Sequence, residues 1–242
     1  MQRYRARSGP FEYVLRFSHE EIDQMCLEAL EKAGCLPKTP EPIRIDRFIE
    51  KQFTANILYE DLDPGVLGYT AFQKDGSISA VGVSSWLDDG GGATERRLRS
   101  TLAHEGGHCL LHPSIFMQTE GEVHFATSSS INVSLKDRRI LCRDNDVDPA
   151  AAKQPTKAYD GRWWEWQANR AIGGFLLPKQ LVLTALEPML TRAMVTGSPS
   201  LPESARDPAS RNLAETFKVN PVVARIRLSE MFPILSGRQM EF

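Results

Sequence analysis

Residues 104 to 108 read His104-Glu105-Gly106-Gly107-His108, an H-E-x-x-H string with two imidazoles four positions apart. On an α-helix such positions share a face, so both rings can close on one metal ion, and zinc is the ion this pattern suits best. Glu105, next to the first ring, can lean over the same site as a general base toward water. A hydrolytic zinc site takes three protein ligands and keeps a fourth position open, so another donor must come from elsewhere in the chain. Glu165 is the strongest candidate. It opens Glu165-Trp166-Gln167-Ala168-Asn169, and Glu165, Ala168, Ile172 and Leu176 form one helical stripe able to face the motif helix.

Asn169, one turn beyond Glu165, is placed to hold a ligating imidazole through its second nitrogen. His112, one turn beyond His108, reads as a supporting histidine rather than a fourth donor. Gly106-Gly107 and Gly173-Gly174 put adjacent glycines inside two expected helices. Each costs about 1 kcal/mol relative to alanine, which close backbone approach of two helices near a metal would explain.

H-E-x-G-H followed by Leu110-Leu111-His112, then Glu165-x-x-Ala168-Asn169 with Phe175-Leu176-Leu177-Pro178 after it, resembles the ImmA/IrrE metallopeptidases over roughly residues 46–231. The resemblance implies a zincin of the gluzincin type, with His104, His108 and Glu165 as ligands and Glu105 as base. It further implies cleavage or antagonism of a DNA-binding repressor, on a mobile element or in a stress response. Two features depart from the family pattern: Gly106 stands where a bulky apolar residue is usual, and the interval from His108 to Glu165 is long. The extra segment, 114–161, is a candidate flap over the cleft. His124, Tyr159 and Arg162 are unranked candidates for supporting the oxyanion that acyl transfer generates.

Other residues near the motif have plainer readings. Cys109 adjoins His108 and Cys142 lies in the long segment; a thiolate reaching the open metal position would block water, whereas buried, idle thiols are the simpler expectation. Trp163, Trp164 and Trp166 read as core packing, with a substrate wall as the alternative. His19 reads as a surface residue.

The elements that must carry these groups follow from periodicity and punctuation. Ser18 caps a helix running to about Ala33, and a second short helix spans 46–52. Extended segments cover 55–59, 66–73 and 77–86, with Lys74-Asp75-Gly76 as a hairpin turn. A glycine-rich loop leads into the motif helix, about 95–112, closed by Pro113. Weak periodicity follows, with a candidate strand pair at 122–127 and 131–135. Helices are expected over 163–177 and 179–195. Asp207 with Pro208, and Asn220 with Pro221, open two final helices. These last two resemble a helix-turn-helix in which Arg225 and Arg227 could meet phosphates, although the segment is not strongly basic and a packing module is the stronger reading.

With 242 residues, 25% charged content and a net charge of −2, nothing in the composition points to a polyanion partner. Residues 1–15 are basic but lack an apolar run of the length a signal peptide needs, and no stretch approaches a membrane span, so a cytoplasmic location and no membrane partner are expected. Four cysteines without a C-x-x-C pair point to reduced thiols.

The expectation is an α+β, zincin-like core: a small mixed or antiparallel sheet with an edge strand along the cleft, packed on the motif helix and the Glu165 helix. It divides as an N-terminal helical extension (1–45), a metallopeptidase domain (46–196) and a C-terminal helical subdomain (197–242). The expected activity is zinc-dependent endoproteolysis of a protein substrate, such as a transcriptional repressor, with one zinc ion; two histidines and a carboxylate also accept other divalent ions. The competing expectation is a DNA-associated regulator that uses the zinc fold as sensor or scaffold without turnover.

Overall fold

A computed structural model of the chain describes residues 2–5, 11, 13–88, 90–117, 133–134, 138–143, 162–192 and 197–233. It is α+β. The chain opens with a hairpin that the sequence pattern does not announce, β1 (Gln2–Arg5) paired antiparallel with β2 (Tyr13–Arg16). Helix α1 (His19–Lys32) follows with a complete capping box: the Ser18 hydroxyl accepts from the Glu21 amide, and the Glu21 carboxylate accepts from the Ser18 amide. Its buried stripe is Ile22, Cys26, Ala29 and Leu30. Helix α2 (Ile45–Phe53) leads into the sheet.

Strands β3 (Ile57–Glu60), β4 (Val66–Phe72) and β5 (Ile78–Ser84) fall where the extended segments are expected, with Gly76 at φ +80° in the turn between β4 and β5. The motif helix α3 (Gly92–Leu111) is followed by the short α4 (Pro113–Phe116), then β6 (Val133–Ser134) and β7 (Arg139–Arg143). The five strands form one mixed sheet in the order β3-β5-β4-β7-β6, parallel only between β3 and β5. The 122–127 half of the expected strand pair lies outside the described residues, while β6 falls within the other half.

The strand that packs on the motif helix, β4, is an inner strand between β5 and β7. Strand β4 is buried along its whole length, so both of its hydrogen-bonding edges need partners. Strand β5 takes one and β7 the other. The alternation Arg139 out, Ile140 in, Cys142 in, Arg143 out fits β7 to that place.

Helix α5 (Trp163–Leu176) carries Glu165 and ends ahead of Pro178, and α6 (Lys179–Leu186) is shorter than expected. After Leu186 the chain turns through a 3-10 segment containing Pro188 into the small hairpin β8 (Thr191–Arg192) and β9 (Pro199–Ser200). Helix α7 (Arg206–Phe217) begins before Asp207, which is therefore not its cap, whereas Asn220 does cap α8 (Pro221–Met231), accepting from the Val222 amide. The buried apolar residues of α7 and α8 belong to the same cluster as those of α1, α3 and α5. No helix among the described residues is long and apolar enough to cross a membrane.

Candidate metal centre

Helices α3 and α5 approach closely enough to join residues 104 and 165, and Gly107 is what permits it. A methyl group there would lie 2.9 Å from Ala171 Cβ and 3.0 Å from Ala168 Cα. The other glycines divide differently. Gly174 faces Cys26 of α1, which a methyl would meet at 2.9 Å, while Gly106 and Gly173 have ordinary room. Close approach therefore accounts for Gly107 between α3 and α5 and Gly174 against α1, and leaves Gly106 and Gly173 unexplained.

At this crossing His104, His108 and Glu165 bring their donor atoms together, all buried. The Nε2 atoms of His104 and His108 stand 3.0 Å apart, and the Glu165 oxygens lie 3.2 Å from the first and 3.7 Å from the second. Ligands at roughly 2.0–2.1 Å from a tetrahedral zinc ion sit about 3.3 Å from one another, so these separations match such a site.

The tautomers follow from the surrounding hydrogen bonds. The Gln167 amide donates to the Leu15 carbonyl in β2 at 2.6 Å, which turns its oxygen toward His112 Nε2 at 3.1 Å. His112 therefore donates from Nε2, and its bare Nδ1 accepts from His108 Nδ1 at 2.9 Å. His108 Nε2 is left without a proton and aimed at the cluster. His104 reaches the same state by donating from Nδ1 to Asn169 Oδ1 at 3.1 Å. Two lone pairs and a carboxylate face one point, an arrangement that calls for a cation.

The charges of the cluster are coupled to one another. Burial alone would raise the Glu165 carboxyl, yet His108 and His104 hold it far below the usual carboxylate range. Burial also opposes charge on His104, but Cys142 and Glu165 carry that ring well above the ordinary imidazole value. Burial, followed by His108, keeps His112 neutral and well below it. The fit to a divalent cation rests on these donors; which metal they hold is not fixed by them.

Glu105 lies beside the ligands, also buried, and Thr70 of β4 donates to its Oε2 at 2.6 Å. Gly68, on the same face of β4, leaves room for the other oxygen: a methyl there would press to 3.1 Å from Glu105 Oε1. Thr70, Gly68 and Gln167 are absent from the expectations drawn above. For Thr70 and Gly68 a signal exists, since alternate residues of a strand under the motif helix must face it.

Asn169 lies against the His104 ring and His112 against the His108 ring. Arg162 stands at the N-cap of α5, and His124 and Tyr159 lie outside the described residues, as does most of the candidate flap. Trp163 and Trp164 pack edge-on against Phe11 in the core, whereas Trp166 is exposed and lies against His19. Cys109 and Cys142 are both buried, and the Cys142 sulfur lies within 4.8 Å of donor atoms of both His104 and Glu105.

The phosphate reading of Arg227 is corrected. That side chain is 1% exposed, its Nη1 lies 2.9 Å from each Asp23 oxygen and its Nε donates to the Leu177 carbonyl at 3.0 Å. A charge this deeply buried is held by a partner within the fold. Arg225 remains exposed. Compared with known proteins, the chain matches no family model, and no curated protein matches it.

Proposed function

We propose that this protein is a zinc-dependent endopeptidase of the ImmA/IrrE kind, a gluzincin-like enzyme that hydrolyses a peptide bond in a protein substrate such as a DNA-binding repressor. The observation that carries it is the convergence of His104, His108 and Glu165 on one point, with the Glu105 carboxylate beside them. A purely structural zinc site has no use for that carboxylate, and it favours cysteine ligands.

In this reading His104 Nε2, His108 Nε2 and one Glu165 oxygen hold the ion. Bound zinc would lower the pKa of a water molecule from 15.7 to about 7 and polarise the scissile carbonyl. Glu105 accepts the water proton and passes it to the leaving amine. The Thr70 hydroxyl pins Oε2 of Glu105, so the carboxylate keeps one orientation through both transfers. Asn169, and the chain from His112 through Gln167 to Leu15, fix the ligand rings with their lone pairs toward the metal.

The test is to purify the chain and its E105Q variant, measure bound metal, and express each with the transcriptional regulator encoded beside it. Both forms should bind one equivalent of zinc, and only the native sequence should yield a chelator-sensitive fragment. Fragment formed equally by E105Q removes Glu105 from the reaction. A protein that binds no divalent metal removes the site.

A further inference from the structure

Where α5 meets α1 rather than α3, a cavity of about 360 Å³ is walled by α1, α5, the start of α6 and α8. Arg227 forms part of its wall although that side chain is only 1% exposed. Every contact the guanidinium makes among the described residues, with Leu177, Asp23 and Glu230, uses Nε or Nη1, and Nη2 has no partner there. A donor this deep costs free energy unless an acceptor reaches it. Helix α6 opens on the same cavity: Pro178 stands at its N-cap, no side chain caps it, and Lys179 is exposed at its first position. Uncapped amides at a helix start, a lysine and an unused guanidinium nitrogen lining one space are the equipment for a carboxylate. The ionisable groups of the lining, Glu20, Asp23, Lys179 and Arg227, cancel in charge. A dianion such as phosphate would face two carboxylates, whereas a zwitterion finds both signs.

We propose that this cavity is a binding site for a free α-amino acid with an apolar side chain. The ligand carboxylate accepts from Arg227 Nη2, from Lys179 and from the first amides of α6. Its ammonium group pairs with Glu20, since Asp23 is already held by Arg227 and Arg170. Glu20, Asp23 and Leu27 recur at helical spacing, so the acid and the apolar residue share one face of α1. Half-buried Leu27 and Leu183 take the ligand's side chain. The volume lies near the lower end of the roughly 300–1,000 Å³ usual for ligand cavities, which suits one amino acid better than a peptide. No residue of the metal centre lines the cavity, so the site stands whether or not that centre hydrolyses peptides.

Isothermal titration of the full chain with leucine, isoleucine, valine, methionine and phenylalanine tests the site. At least one should bind with one-to-one stoichiometry, and its amide and its deaminated acid should each bind roughly tenfold or more weakly, because each lacks one charged partner. K179Q and E20Q should weaken the same amino acid by a similar factor, and L183D should abolish binding, with the urea midpoint of each variant showing that it is folded. R227K should also lose binding; if it disturbs the fold, the exposed positions 179 and 20 carry the test. Heat from none of these amino acids, binding unmoved by both K179Q and L183D, or tighter binding of inorganic phosphate than of any amino acid overturns the proposal.

Discussion

Thr70 and Glu105 meet across the sheet–helix interface at 2.6 Å, the strand hydroxyl donating to the carboxylate from a fully buried position. The contact joins the interior of a β-strand to Glu105, the carboxylate that the proposed function makes the base and not a ligand. It therefore separates holding the metal from using it. Replacing Thr70 by valine keeps the volume and removes only the donor. We expect T70V to bind zinc as the native chain does and to lose roughly 10–100-fold in turnover, the size typical of a lost outer contact. Metal content measured beside cleavage rate decides it; a T70V enzyme at full speed shows that Glu105 needs no such anchor.

The relay from Leu15 through Gln167 and His112 to His108 gives a pH signature. His112 is buried and neutral, with its ring held well below the ordinary value of 6.5. The unfolded chain binds a proton there below that value and the folded chain does not, so stability is fully present above about pH 6.5 and is lost as the pH falls beneath it, by about 1.4 kcal/mol per unit. In urea titrations between pH 7 and 5, H112Q should show a shallower decline than the native protein, by about one proton. Equal slopes would mean that His112 is protonated within the fold.

The paired glycines of α3 should part company. At Gly107 a methyl group meets Ala171 and Ala168, and overpacking of this kind costs about 1–3 kcal/mol. At Gly106 the nearest side-chain atoms lie 3.6 Å or more from the added carbon, so G106A should be neutral or gain up to about 1 kcal/mol of helix propensity. Denaturation midpoints of the two variants would settle the contrast, and similar losses at both sites would refute it.

Asp23 of α1 binds Arg227 of α8 and Arg170 of α5, and Glu230 pairs with the same two arginines. Removing one partner of a buried pair strands the other charge. D23A should cost about 3–5 kcal/mol. A loss under 1 kcal/mol would show that Glu230 alone satisfies both guanidinium groups.

The grouping of His104, His108 and Glu165 was legible because the spacings behind it are local. Four residues of spacing fix His104 and His108 on one face, and a second helical string supplies Glu165 and Asn169. The helices around it follow from caps and prolines, as at Ser18, Asn220 and Pro178. What escaped the sequence was long-range pairing. Arg-Ile-Leu-Cys-Arg at 139–143 alternates faintly, but only the unpaired edge of β4 makes it a strand, and only that register carries Cys142 to His104. Arg227 misled for the same reason: it is an arginine on a solvent-like helix until α1 brings Asp23 to it.

The carbonyl of Leu15 lies outside every motif in the chain, yet it sets the sense of a proton ladder that ends at a ligand nitrogen. The amino-terminal hairpin is thus a distant tuning peg for the imidazole. On the proposed function, a version of this protein trimmed to begin at α1 would keep His104, His108, Glu165 and Glu105 and still hold its ion more slackly.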